Sequence, residues 1–146
     1  MTALIIPSEY GYVLGVAVAS ALYVFSLAPK VGAARRAAKV PYPYAYAEKS
    51  EAEKDPKKNI FNCTQRAHQN TLEILPVYNT LLLVGGLKYP EISAAAGVVF
   101  LLGRIVFTSG YVTGDPAKRT RGAFGFLGLI ALLGTSAATV YSLIKN

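Results

Sequence analysis

The chain has 146 residues, of which 53% are hydrophobic and only 16% are charged, and its mean hydropathy is +0.36. It nevertheless carries 15 Lys and Arg residues against 8 Asp and Glu, a formal net charge of +7. The apolar content excludes intrinsic disorder, and the single cysteine excludes a disulfide scaffold. The basic residues lie in short stretches between long apolar runs, which argues against a free-standing nucleic-acid module. We therefore expect a small membrane protein with basic loops, as a single domain over residues 1–146.

Four apolar segments predict membrane-spanning helices, over approximately residues 10–31, 59–87, 91–114 and 122–144. A hydrocarbon core of roughly 30 Å needs about 20 helical residues, and backbone polar groups inside it must be satisfied within the segment. The fold class expected is therefore all-α, an integral membrane four-helix bundle. No basic region precedes the first segment, so we expect a retained helix rather than a cleaved signal peptide.

The loops between these segments differ in length and charge. The first, residues 30–58, holds eight of the fifteen Lys and Arg residues, and the third, residues 115–121, holds three more. With four spans these two loops share one side of the membrane, and the positive-inside rule places that side in the cytosol. In the first loop two prolines alternate with Tyr42 and Tyr44, which is typical of an extended stretch at the level of the lipid headgroups.

The second predicted helix begins with polar side chains. At 100° per residue, Arg66, Asn70 and Glu73 fall within about 60° of one another, on one helix face. A structural interpretation is that Arg66 pairs with Glu73, or that a salt bridge with Arg104 joins two helices. The functional interpretation is a binding site, because ionisable residues within a span are costly and mark functional sites. Arginine binds a carboxylate bidentately, glutamate binds an ammonium and asparagine matches an amide, so this stripe suits an amino acid or peptide.

The third predicted helix presents a second polar and aromatic face. Arg104, Phe107 and Tyr111 are spaced i, i+3 and i+7 and lie on one side. Tyr111 could donate its hydroxyl to a ligand, whereas for Phe107 alone we favour simple packing against a neighbouring helix.

The third loop brings Lys118, Arg119 and Arg121 to the same face of the membrane. We interpret Lys118 and Arg121 mainly as contacts to lipid headgroups. His68 is a lone histidine without a set of metal ligands, and Cys63 has neither a second cysteine nor an evident base. We therefore expect no metal site and no cysteine nucleophile.

The stretch 61–76, with the sequence FNCTQRAHQNTLEILP, resembles the signature of the MAPEG membrane proteins. Within that family the resemblance is to the microsomal glutathione S-transferase 3 subgroup. It continues through residues 34–36 and 40–43 of the first loop, 103–104 and 110–111 of the third helix, and 114–116 and 118–122 of the third loop. It thus spans nearly the whole chain, and the motif in the second helix is its most specific part.

The resemblance implies a four-helix subunit in a homotrimer, with active sites between subunits that hold glutathione and open to the cytosol and to lipid. Position by position, it implies glutathione contacts at Arg66, Asn70, Glu73 and Tyr111 from one subunit and at Arg35 and His68 from its neighbour, with Arg36 a further candidate near the mouth. Arg119 matches the arginine that activates the thiol, if one residue is inserted in the third loop, and Arg121 is the alternative. Phe107 stands where many relatives have a tyrosine, whose role would be absent here or filled by Tyr111 or water.

The function that the resemblance implies is a membrane-bound glutathione transferase of the endoplasmic reticulum, with glutathione-dependent peroxidase activity as a second capability, in lipid metabolism or detoxification. Glutathione would be the co-substrate and a lipophilic electrophile or lipid hydroperoxide the second substrate. The alternative is a non-catalytic, lipid-binding scaffold of the same family, which would lack the thiol-activating arginine. A transporter or channel has less support, because unbroken spans with one lateral polar stripe form no obvious pore.

Overall fold

A computed structural model describes residues 6–145. Its elements in chain order are α1 (Tyr10–Ala38), α2 (Lys49–Ala52), α3 (Pro56–Gly86), α4 (Pro90–Tyr111), a 3-10 helix (Pro116–Gly122) and α5 (Gly125–Lys145). No β-strand occurs within these residues. The described part of the chain is all-α, as its hydrophobic pattern predicts.

Three of the helices, α1, α4 and α5, are long and apolar enough to cross a membrane. They correspond to the first, third and fourth predicted spans. The helix α3 has 31 residues, which is long enough, but polar side chains fill its first half and it is not among the three. Length and composition thus support three of the predicted spans, and a span at α3 stays a prediction.

The helix α1 ends at Ala38, well beyond the predicted end near residue 31. The residues that follow Pro29 are rich in alanine, the best helix former, and they continue the helix. It ends where Lys39 adopts a left-handed φ of 54°. The Lys39 amide donates to the Arg36 carbonyl at 3.2 Å and the Val40 amide to the Arg35 carbonyl at 3.3 Å, the hydrogen-bond pattern of a Schellman motif.

The fourth predicted helix begins later than expected, at Gly125 rather than at 122, because the third loop has structure of its own. The Asp115 side chain accepts a hydrogen bond from the Ala117 amide at 3.0 Å and caps the 3-10 helix. That helix runs to Gly122 and occupies the residues with which the apolar segment begins.

The described residues fall into two compact units. The first consists of residues 6–21, 74–102 and 124–145. At its core Tyr78 stacks on Phe100 with ring centroids 4.4 Å apart, and the Tyr78 hydroxyl forms a hydrogen bond with the Ser20 hydroxyl at 3.0 Å. The remaining buried side chains of this core are Val13, Leu82, Ala94, Ala96 and Leu132.

The second unit consists of Leu22–Glu73 and Gly103–Ala123. Its buried apolar cluster comprises Val31, Ala38, Val40, Ala47 and Phe61. Every residue that the MAPEG resemblance assigns to glutathione lies in this unit. The expectation of a single domain stays a prediction.

We expect Gly128→Ala to lower the thermal stability of the protein in detergent. A β-carbon on Gly128 of α5 would run into the Ala96 carbonyl oxygen of α4 and would lie 2.8 Å from the Phe100 amide nitrogen. The two helices would have to separate, and overpacking of this kind costs about 1–3 kcal/mol, more than the ~1 kcal/mol that alanine gains in helix propensity.

Gly134→Ala is the matched control, because a β-carbon at that position of α5 meets nothing within 4 Å. Its melting midpoint should equal or exceed that of the wild type. Equal midpoints for the two variants would contradict the close approach of α4 and α5 at Gly128.

Candidate functional site

The polar stripe predicted on α3 is present, and its two charged members pair with each other. Arg66 donates through Nη1 and Nη2 to the two carboxylate oxygens of Glu73, at 2.7 and 3.2 Å. The two side chains remain 41% and 58% exposed. An ion pair with this much solvent access contributes little to stability. The first structural interpretation of the stripe, an Arg66–Glu73 pair, is therefore confirmed, and the pair is accessible to solvent.

Arg104 of α4 is buried against α3 instead of joining this pair. It is 8% exposed, and its Nη2 donates to Asn70 Oδ1 at 3.0 Å and to Thr71 Oγ1 at 2.8 Å. Its guanidinium lies over the Phe107 ring, 3.9 Å from the centroid, in a cation–π contact. Within residues 6–145 its Nε has no hydrogen-bond partner. The alternative salt bridge through Arg104 is thus not formed in this structure.

A cavity of about 250 Å³ in the second unit is lined by Arg66, Asn70, Phe107, Tyr111 and Arg119. Three elements contribute these residues: α3, α4 and the 3-10 helix. The Tyr111 ring meets the Phe107 ring edge-on, with centroids 5.5 Å apart. The Arg119 guanidinium lies 5.6 Å from the centroid of the Tyr111 ring, and its Nη1 donates to the Pro116 carbonyl at 3.0 Å. The structure therefore brings together four of the residues predicted for the site, with Glu73 beside them through its pair with Arg66.

The lining of this cavity favours a ligand that carries negative charge. Two guanidinium groups, an amide and a phenol supply hydrogen-bond donors. Arginine is suited to planar, bidentate contacts with carboxylates, and it stays protonated at physiological pH. Phe107 adds an apolar wall beside these donors, which is more than the packing role that the sequence alone favoured for it.

Besides Glu73, three predicted site residues do not line the cavity. Arg35 is buried near the end of α1, Arg36 is exposed on the same helix, and His68 is partly exposed on α3. The family resemblance assigns Arg35 and His68 to the site of a neighbouring subunit, and that contribution stays a prediction. Arg121, the alternative to Arg119, is exposed on the 3-10 helix and does not line the cavity either.

Arg35 has a structural task that the sequence does not reveal. Its guanidinium lies between two aromatic rings, 4.4 Å from the Tyr42 centroid and 4.7 Å from the Phe61 centroid. Its Nη1 donates to the Tyr44 carbonyl at 2.6 Å. Arg35 therefore fastens the Tyr-Pro-Tyr stretch of the first loop to α1 and α3. This stretch forms a turn at Tyr42 and Pro43, so the prediction of an extended stretch is wrong there.

Further polar residues on α3 anchor the two loops, a role that the sequence analysis missed. Asn62 exchanges two hydrogen bonds with the backbone of Ala47, at 2.8 and 3.0 Å. Asn59 donates to the Gly114 carbonyl at 2.8 Å. The Tyr46 hydroxyl donates to Gln69, and burial raises the pKa of Tyr46 above its ordinary value. The only sequence signal was the long polar start of α3, which does not identify the partners.

The model of the MAPEG family matches residues 13–141 of the chain. The matched range contains all five residues that line the cavity and the whole of α3 and α4. A helical membrane protein fits both this match and the three apolar helices.

Arg35→Met is expected to speed amide hydrogen exchange in residues 40–47. The substitution removes the donor to the Tyr44 carbonyl and the charge between the two rings. Hydrogen bonds to charged groups are worth about 1.5–3 kcal/mol, so local opening should become at least tenfold more frequent. Arg36→Met is the control, because its exposed side chain should not affect this loop. Equal exchange in the two variants would show that Arg35 does not hold the loop.

Proposed function

The chain belongs to the MAPEG family, and from this premise we propose that it is a membrane-bound glutathione transferase, similar to the microsomal glutathione S-transferase 3 subgroup. The observation that carries the proposal is the convergence of Arg66, Asn70, Tyr111 and Arg119 on one cavity. Glutathione binds there and is activated as its thiolate. The cavity residues have distinct tasks in binding, activation and contact with the second substrate.

Arg66, Glu73 and Asn70 bind the peptide part of glutathione. The ligand carries carboxylates and an ammonium group, so Arg66 can exchange the carboxylate of Glu73 for one on the ligand while Glu73 takes the ammonium. The exposure of the Arg66–Glu73 pair supports this exchange, because opening a solvated pair costs little. Asn70 binds the ligand through its amide and Tyr111 donates its hydroxyl.

Arg119 activates the thiol. A thiol with a pKa near 8.5 is only a few per cent thiolate at neutral pH, and the thiolate is the nucleophile. A cation beside the sulfur stabilises the charged form and lowers the thiol pKa. Arg119 suits this role because it lines the cavity and is held over Tyr111, whereas Arg121 does not reach the lining.

The second substrate comes from the bilayer. In conjugation, the thiolate attacks an electrophilic carbon, a C–S bond forms, and a leaving group departs or the adduct takes up a proton. In peroxide reduction, the thiolate attacks the O–O bond, an alcohol leaves after protonation, and the resulting sulfenic acid reacts with a second glutathione to give the disulfide and water. Phe107 cannot donate a hydrogen bond to sulfur, and its ring offers apolar contact to a lipophilic substrate.

A homotrimer would complete the site. Cavities that enclose small ligands usually measure about 300–1,000 Å³, and this one measures about 250 Å³ within a single chain. Its size supports walls supplied by a neighbouring subunit, with Arg35, Arg36 and His68 as the contributing residues. Arg35 already donates to the first loop through Nη1, whereas Arg36 is exposed, so Arg36 is the better placed of the two to contact a neighbouring subunit.

In this proposal α3 is the remaining span, and the protein lies in the endoplasmic reticulum with its basic loops in the cytosol.

The second candidate function is a non-catalytic, lipid-binding scaffold of the same family. The position of Arg119 in the cavity lining disfavours it, since a scaffold needs no thiol-activating cation. Equilibrium binding of glutathione followed by a stopped-flow search for thiolate absorbance separates the two functions. Binding without thiolate absorbance would support the scaffold and contradict the transferase.

Arg119→Ala is expected to slow conjugation in nanodiscs by about 10–100-fold at pH 7, because loss of the cation raises the pKa of bound glutathione by about one to two units. The rate depends on the basic form of the thiol and rises with pH through its pKa. The wild type should therefore level off at a lower pH than the variant, and the deficit of the variant should shrink as the pH rises toward 9.

Lys118→Ala is the matched control on the same 3-10 helix. Lys118 does not line the cavity and lies 3.8 Å from the Asp115 carboxylate. Its pH profile should coincide with that of the wild type. An Arg119→Ala profile that also coincides with the wild type would remove Arg119 from the mechanism.

A further inference from the structure

Arg104 is a buried cation that has no carboxylate partner among the residues that the structure describes. It is 8% exposed, and none of the salt bridges formed within residues 6–145 includes it. It lies in α4, one of the three helices apolar enough to cross a membrane. Burying a charge in such a place is costly unless its hydrogen bonds compensate, so its contacts indicate what the residue is for.

The contacts of Arg104 determine which way the Asn70 amide faces. A guanidinium group only donates hydrogen bonds, whereas an asparagine side chain has one accepting oxygen and one donating NH₂ group. The Asn70 atom that lies 3.0 Å from Arg104 Nη2 must therefore be the oxygen. The NH₂ group of Asn70 lines the cavity, where it faces the Glu73 carboxylate and a ligand.

The neighbours of Arg104 hold it in this position. The Thr71 hydroxyl donates to the Ala67 carbonyl at 2.9 Å, which leaves its oxygen free to accept from Arg104. The Phe107 ring covers one face of the guanidinium, and the Tyr23 hydroxyl donates to the Arg104 backbone carbonyl at 3.2 Å. A free amide can turn by 180° and exchange donor for acceptor, but this one would then present NH₂ to a guanidinium and lose its hydrogen bond.

We infer that Arg104 is a positioning residue that locks the Asn70 amide with its NH₂ group toward the cavity, so that the site prefers a ligand carboxylate to a carboxamide at this point. The inference rests on the proposed function and deepens it. The stripe on α3 taken alone allows Asn70 to bind either side of a ligand amide. Because the Asn70 oxygen is bound to Arg104, Asn70 can offer the ligand only its NH₂ group.

The competing explanation is that Arg104 merely ties α4 to α3. Both explanations predict that loss of Arg104 lowers stability, so a melting temperature does not separate them. They differ in ligand selectivity. If Arg104 only joins the two helices, its loss leaves the preference of the site between ligand acceptor and ligand donor unchanged. If Arg104 locks Asn70, its loss removes that preference.

The test compares glutathione with two analogues, each with one carboxylate converted to a carboxamide. Equilibrium dissociation constants are measured in nanodiscs for the wild type, Arg104→Met, Arg104→Lys and Thr71→Val, together with kcat and KM for conjugation. A site built to hydrogen-bond one group rejects the analogue that lacks it, so the wild type should bind at least one carboxamide at least about tenfold more weakly than glutathione.

Arg104→Met should lower the discrimination at the carboxylate that Asn70 binds to about one, whereas discrimination at a carboxylate that Arg66 binds should persist. It should also raise KM for glutathione by more than it lowers kcat. Arg104→Lys keeps a charged donor and should restore part of the discrimination. Thr71→Val removes one contact that holds Arg104 but leaves the bond to Asn70, and it should lose less of the discrimination than Arg104→Met does. Full discrimination in Arg104→Met would overturn the inference, as would wild-type protein that binds glutathione and both carboxamides equally.

Failure of the proposed function has a different signature. Wild-type protein that does not bind glutathione contradicts that proposal regardless of Arg104. If Arg104→Met does not fold, Arg104→Leu serves in its place, because it also removes every donor to Asn70 while keeping an apolar side chain in the buried position. The same loss of discrimination is expected, and retained discrimination overturns the role of Arg104.

Discussion

The site depends on one buried contact, between the Arg104 guanidinium and the side chains of Asn70 and Thr71. A charged group inside an apolar helix must find its hydrogen-bond partners within the protein. Arg104 finds them on α3, and in doing so it fixes the position of α4 against the polar stripe. Because Phe107 and Tyr111 lie on the same side of α4 as Arg104, they come to face that stripe as well. The contact thus brings together four of the five residues that line the cavity, Arg66 and Asn70 of α3 and Phe107 and Tyr111 of α4.

Close backbone packing then adds the third element of the site. A β-carbon on Gly110 would run into the Lys118 carbonyl oxygen, and one on Gly122 would run into the Gly103 carbonyl oxygen. Both glycines therefore allow the 3-10 helix to lie directly against α4. Gly114 turns the chain at a φ of 87°, a conformation that favours glycine. Arg119 reaches the Tyr111 ring because the loop that carries it is folded back in this way.

The sequence could predict helical segments and the polar faces of single helices, but not which residues of different elements contact each other. Helical periodicity correctly places Arg66 and Glu73 within reach of each other, and hydrophobic length identifies three helices that can cross a membrane. Periodicity does not say which helix faces which, so the partners of Arg104 could not be predicted. The end of α1 was also missed, since lysine is not a residue expected at a left-handed φ. Nor could the sequence show that Arg35 is enclosed by two aromatic rings, because that depends on the path of the loop.

Arg66 of α3 and Arg104 of α4 differ in solvent exposure, and this difference gives them different roles in the proposed binding. Arg66 is paired with a carboxylate but exposed, so it can exchange that partner for a charged group on a ligand. Arg104 is buried and bonded only to neutral oxygens, so it offers no charge to the solvent and can act on a ligand only through the groups it orients. Exchange of the carboxylate bound to Arg66 requires access to water, whereas the orientation of Asn70 by Arg104 is kept because water is excluded from that contact. Asn70 contacts Arg104 and lines the same cavity as Arg66, so in the proposed function it connects the buried contact with the ligand.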